Sequence, residues 1–147
     1  MIDLMKEAFK KGNSFRFKAK GFSMSPFIKG GDVITIKPLK EVSLIIGDIV
    51  SFISPKTNSL AVHRIVSIKK NGCVFKGDNS FNSDGLVLNK DILGVINKIE
   101  RNNKDITFGL GKEKGIIVFL SRTRILFLFL KVFRGVRRYT RRFFNGR

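Results

Sequence analysis

GFSMSPFIKGGDVITI, residues 21–36, decides how the rest of the chain is read. Ser23 is followed by Met24, a small residue and Pro26. Proline fixes its own φ and pushes the preceding Ser25 towards extended geometry. The serine is therefore expected on a bent, held segment. GGD at 30–32 is a turn signal, and Val33, Ile34 and Ile36 predict a strand behind it that ends before Pro38.

Upstream, residues 14–20 alternate, with Phe15, Phe17 and Ala19 on one face and Arg16, Lys18 and Lys20 on the other. That period of two predicts a half-buried strand leading into the serine segment. Residues 1–12 read as a short amphipathic helix with Leu4, Met5 and Phe9 inward, stopped at Gly12 and Asn13. Downstream, IVSFI at 49–53 and LAVHRIVSI at 60–68 predict two more strands. Lys69 to Gly72 predict the hairpin turn, with Asn71 and Gly72 the strongest hairpin dipeptide in the chain, and residues 73–76 form the return strand before GDN at 77–79. A polar loop follows over 79–84, then one further strand at 94–99, with 106–110 a candidate last strand. Short strands between turns predict a mainly β, coiled antiparallel domain over residues 1–113, with a closed or covered edge.

At 147 residues the chain fits one core-bearing domain. A single cysteine, Cys73, excludes an intramolecular disulfide framework and a cysteine metal cluster, and no cofactor motif is present. Asp3 and Glu7 interrupt what a cleavable signal peptide would require. The net charge of +18 is uneven: residues 1–113 carry 19 basic against 11 acidic residues, whereas residues 114–147 carry 10 basic and none acidic.

That second segment predicts a basic, greasy helix. Ile125, Leu128, Phe129, Val132, Phe133, Val136, Tyr139 and Phe143 share one broad face, and Arg124, Lys131, Arg134, Arg138, Arg141 and Arg142 occupy the other. Such a pattern points to an anionic membrane surface, with Ile125, Leu128, Phe129, Val132, Phe133, Arg134, Arg138, Arg141 and Arg142 as the contact candidates. A helix packed on the β domain or in an oligomer is the alternative, and the charges argue against a membrane span.

A serine nucleophile needs a base in hydrogen-bond reach and a third group to orient it. His63 is the only histidine, 40 residues from Ser23, and Asp78 and Asp84 lie beyond a hairpin from it. The hairpin can return either aspartate to the histidine.

Four blocks, GxSMxP at 21–26, GDIVSF at 47–52, VHRIV at 62–66 and KGDN at 76–79, stand in the order found in the signal peptidase I family. Residues 14–100 resemble that family and its relatives in the wider LexA-like serine peptidase superfamily. The resemblance implies a serine endopeptidase that removes a leader or signal-type peptide from a precursor, bound as an extended strand with small side chains before the cut. Ser23 takes the nucleophile position. His63, followed by Arg64, resembles the archaeal and endoplasmic-reticulum type, in which histidine replaces the lysine base of many bacterial members. Asp84 stands where that type has its aspartate, and Gly21, Met24, Pro26, Arg64, Gly77, Asp78 and Asn79 belong to the matched blocks that shape the site. Ser23 N–H is the natural oxyanion donor, and Phe22, Met24 and Phe27 are candidate wall residues.

Familiar members carry a membrane anchor ahead of the serine motif, where this sequence has about 20 residues and no span. The expectation is a dedicated, membrane-associated peptidase acting on a particular precursor at the cytoplasmic face. Two other classes compete. One is a catalytically silent membrane or assembly protein that keeps the fold. The other is nucleic-acid binding through the arginine-rich tail, against which stand the tail's apolar face and the absence of zinc-knuckle or RNA-binding motifs.

Overall fold

A computed structural model of the protein describes residues 1–39, 43–123, 125, 128, 129, 131 and 132. Helix α1 (Ile2–Lys10) precedes the strands β1 (Phe15–Lys18), β2 (Val33–Pro38), β3 (Ile49–Ile53), β4 (Leu60–Lys69), β5 (Gly72–Lys76), β6 (Gly85–Leu88), β7 (Ile92–Arg101) and β8 (Lys104–Asp105). Helix α2 (Lys114–Arg122) follows. The strands form one antiparallel sheet in the order β1-β2-β7-β3-β4-β5-β6, with β8 hanging on β7.

The protein is thus mainly β, as its alternating segments predict, with three local departures. Residues 87–99 hold two strands, because β6 pairs Cys73 with Val87 before β7 begins. Residues 106–110 are not a strand. After Ile106 N–H bonds Ile99 O the chain turns, and Leu110 N–H reaches Thr107 O. The hairpin turn expected over Lys69 to Gly72 is observed, with Lys70 and Asn71 at its centre and Gly72 paired with Lys69. Strand β2 runs through Pro38, which ends the ladder opposite Gly94; a missing N–H is tolerated at such a terminal position.

β3 is buried along nearly its whole length because it carries core on both faces. Ile49 joins Met5, Met24, Ile34, Ile36, Ile96 and Ile99 in one cluster, whereas Val50 and Phe52 join Ile65, Phe75, Val87 and Ile92 in another. Leu4, expected inward, is 64% exposed, and Met5 takes the buried place of α1.

Irregular pairing at Thr35/Ile36, Ser51/Phe52 and Ile65/Ser67 marks bulges, which bend strands and raise their twist. The consequence decides the site. In a flat sheet, β1 and β4 would stand four strand spacings apart, about 19 Å. Instead Phe15, Phe17 and Ala19 pack on the same cluster as Leu60 and Val62. The sheet coils until the end of β1 reaches β4, leaving a gap between them.

Candidate active site

Ser23 lies on a turn that spans residues 22–28, closed by Ile28 N–H to Met24 O at 3.0 Å. Gly21 starts it with φ +81°, a left-handed conformation that other residues adopt only under strain. Met24 is 4% exposed and anchors the turn in the core, while the Ser25–Pro26 peptide is cis. Asp32 draws the far end of the turn together: its carboxylate accepts from Lys29 N–H at 2.8 Å and from Arg101 Nε at 2.8 Å and Nη2 at 2.7 Å. The same guanidinium donates to Phe27 O at 3.1 Å. Burial alone would raise the Asp32 carboxyl, but these donors outweigh it and hold it below its ordinary value.

His63 projects from β4, opposite Val50 of β3 and against the Phe52 ring at 6.0 Å. Its Nδ1 lies 2.6 Å from Asp84 Oδ2 and its Nε2 lies 2.9 Å from Ser23 Oγ. A carboxylate can only accept, so Nδ1 carries the proton and donates to Asp84. Nε2 then accepts from the Ser23 hydroxyl. The His63 and Asp84 side chains are 14% and 19% exposed, and Ser23 is open to solvent. The three residues form one hydrogen-bonded chain with its reactive end outward.

The loop after β5 touches every part of that chain. Asn79 N–H donates to Ser23 O at 2.7 Å, and its side-chain amide donates to Phe22 O at 3.0 Å. Asp84 N–H returns to Phe75 O at 2.9 Å, which fixes the aspartate beside His63. At Gly77 there is no space for a side chain: a Cβ would stand 2.7 Å from Ser23 O and 3.1 Å from His63 Nε2. Asp78 pairs with fully buried Arg64, its oxygens accepting from Nε at 2.9 Å and Nη2 at 2.8 Å. Arg64 Nη1 also donates to Gly47 O and Gly109 O, both at 2.8 Å, and the guanidinium lies 5.4 Å from the Phe27 ring centroid. Burial pushes the Asp78 carboxyl up, and the bidentate arginine opposes that shift.

Ser23 and His63 close one end of a cavity of about 330 Å³ in the gap between β1 and β4. Residues 17–20 form one wall, residues 60–62 the other, and Met24, Ile28 and Ile34 line it too. Of the expected wall residues, Met24 lines the cavity; Phe27 is buried under Arg64, and Phe22 is 73% exposed beside the serine.

Sequence reading missed Asp32 and Arg101. Asp32 was legible only as part of a turn signal, and its partner lies 69 residues away with no local mark. Helix α2 packs on the β domain, the alternative weighed for the segment after residue 113. Ile117 and Val118 are buried, Lys76 Nζ donates to Ser121 O at 2.5 Å, Lys114 pairs with Asp48 at 2.8 Å, and Arg122 donates to Val66 O. These contacts hold α2 against the sheet. Of the membrane-contact candidates, Ile125, Leu128, Phe129 and Val132 are exposed. Phe133, Arg134, Arg138, Arg141 and Arg142 lie outside the described residues, as do Val136, Tyr139, Phe143 and Arg124. Among the described residues no helix is long and apolar enough to cross a membrane, and no cluster of candidate metal ligands occurs.

Compared with protein-family models and with curated proteins, the chain matches none.

Proposed function

We propose that the chain is a serine endopeptidase of the signal peptidase type that removes a leader or signal-type peptide from a precursor. The observation that carries this reading is the contact chain Ser23 Oγ, His63 Nε2, His63 Nδ1, Asp84 Oδ2, at 2.9 and 2.6 Å. Four sequence blocks in the family's order support the same assignment.

In this mechanism His63 Nε2 takes the hydroxyl proton as Ser23 Oγ attacks the scissile carbonyl carbon. Asp84 holds the imidazole in the required tautomer and stabilises the imidazolium. The tetrahedral oxyanion is received by the Ser23 backbone N–H, which has no partner among the described residues. The imidazolium then protonates the leaving amine as the C–N bond breaks. Water, deprotonated by the same nitrogen, attacks the acyl carbon, and the imidazolium returns that proton to Ser23 Oγ as the acyl C–O bond breaks and the new carboxyl group is released.

Two unpaired strand edges support an extended substrate. Among the described residues β1 is bonded to β2 on one side only, and residues 60–63 of β4 precede the first pairing with β5 at Arg64. Four antiparallel pairings separate β1 from β4 in the sheet, so the two run in the same sense along it, and an extended peptide between them is positioned to bond either edge. The basic tail, with Ile125, Leu128, Phe129 and Val132 exposed, would hold the enzyme on an anionic membrane surface at the cytoplasmic face.

The test compares wild type, Ser23→Ala and His63→Ala on precursor peptides encoded beside this gene, read by mass spectrometry. Either substitution should reduce kcat about 10⁴-fold or more. Cleavage undiminished by both would end the peptidase reading. Flotation with phosphatidylserine vesicles should be lost in a full-length Ile125, Leu128, Phe129, Val132→Ser variant, and undiminished flotation would remove the membrane role.

A further inference from the structure

The cavity beside Ser23 is apolar inside but not at its β1 wall. Lys18 and Lys20 line it and are exposed, and neither has an ion-pair partner among the described residues. The third cation of that face, Arg16, is compensated by Glu100 at 2.7 Å. Among the described residues no carboxylate lines the cavity. Two uncompensated charges therefore stand along the edge that leads to the nucleophile.

The hydrogen-bonding parity of that edge fixes what they can meet. Ala19 N–H bonds Asp32 O, so Phe15, Phe17 and Ala19 spend their backbone groups on β2. The N–H and C=O groups of Arg16, Lys18 and Lys20 therefore face the open edge. A peptide added there places alternate side chains on the lysine face, with the intervening ones turned towards the apolar cavity. The Lys18–Lys20 spacing repeats that period of two.

We propose that the preferred substrate is an acidic leader: within the six or so residues before the cut, two Asp or Glu residues stand two positions apart, alternating with small apolar ones. This rests on the peptidase reading and names its substrate class. Lysines can also guard an exposed edge against aggregation, and the two roles predict different kinetics.

The experiment uses full-length protein and internally quenched peptides that differ only at those alternate positions, carrying Glu, Gln or Lys. Each enzyme is read as its own ratio of kcat/KM, Glu peptide over Gln peptide. Wild type should show a ratio of about 10 or more at low salt, taking each lysine as worth roughly threefold or more, and the ratio should fall as ionic strength rises. Lys18→Gln/Lys20→Gln should bring it to near 1, and Lys18→Glu/Lys20→Glu should turn the preference to the Lys peptide. Lys18→Arg/Lys20→Arg should keep the wild-type ratio, as should Lys69→Gln at the distant hairpin. Ser23-dependent cleavage with a ratio near 1, or a ratio that survives the double Gln variant, overturns the acidic-leader proposal and leaves the peptidase reading standing. Cleavage of none of the peptides, or cleavage unaffected by Ser23→Ala, overturns both.

Discussion

Gly77→Ala tests the geometry of the site with one methyl group. The added Cβ would stand 2.5 Å from Ser80 Oγ, 2.7 Å from Ser23 O and 3.1 Å from His63 Nε2, whereas ordinary contact begins at 3.4 Å. The Ser80 hydroxyl can rotate away. The Ser23 carbonyl cannot, because it is backbone and already accepts from Asn79 N–H at 2.7 Å. Relief requires about 0.7 Å of relative movement between the serine turn and the 77–84 loop (3.4 minus 2.7 Å). That movement is taken from the 2.9 Å contact between Ser23 Oγ and His63 Nε2. Gly77 does not have a left-handed φ, so alanine brings no backbone strain of its own and the effect is steric. A misplacement of this size lowers catalysis by about 10²-fold, and overpacking lowers stability by about 1–3 kcal/mol. Initial rates on a quenched peptide, measured well below each variant's melting temperature, separate the two effects. Adding Ser80→Ala removes only the flexible contact, so the double variant should stay slow. Wild-type kcat/KM in Gly77→Ala, or full recovery in the double variant, would refute the backbone clash as the controlling contact.

Asp84→Asn keeps the shape but lets Nδ1 accept, favouring the tautomer whose Nε2–H cannot take the serine proton; kcat should fall about 10³–10⁴-fold with little change in KM. Asp78→Ala leaves the fully buried Arg64 uncompensated and should lower the unfolding free energy by about 3–5 kcal/mol in urea titrations; an unchanged midpoint would contradict a stabilising role for the pair. Asp32→Asn probes pH. The folded carboxyl lies below its ordinary value of 3.8, so its contribution is fully present above that value and is lost as pH falls through the lower, folded one. The melting-temperature gap between wild type and Asp32→Asn should therefore be constant near pH 6 and shrink between about pH 4 and pH 2; a gap that widens on acidification would reverse the assigned shift.

How much could be read from the sequence depended on where the controlling contacts lie. The alternation at 15–18 and the apolar run at 49–53 carry their own strand signal, and β1 and β3 occupy those residues. β6 carries almost none. Only Val87 of its four residues is buried, and it is a strand because β5 supplies the ladder. Ile106, Phe108 and Leu110 alternate as a strand should, yet the backbone there is committed elsewhere: Gly109 O is taken by Arg64, and Gly109 N–H by Glu113 at 2.5 Å. Asn102 and Asn103 adopt φ of 50° and 60°, reversing the chain tightly enough to leave β8 only two residues.

The candidate site divides along the same line. Residue types pointed to Ser23 and His63, and only the family resemblance preferred Asp84 to Asp78, but nothing local says that a strand four places away in the sheet will curl back to meet the serine. That approach comes from bulges at Thr35/Ile36, Ser51/Phe52 and Ile65/Ser67, which no turn residue announces. The 77–84 loop converts the approach into register. Through Asn79 it grips the serine turn, through Asp84 the imidazole, and through Asp78 the arginine that follows His63 on β4. Sheet curvature brings the parts within a few ångströms, and this one loop sets the last few tenths. For that reason the tightest steric limit in the site falls on Gly77, a residue with no side chain of its own, at the loop's first turn.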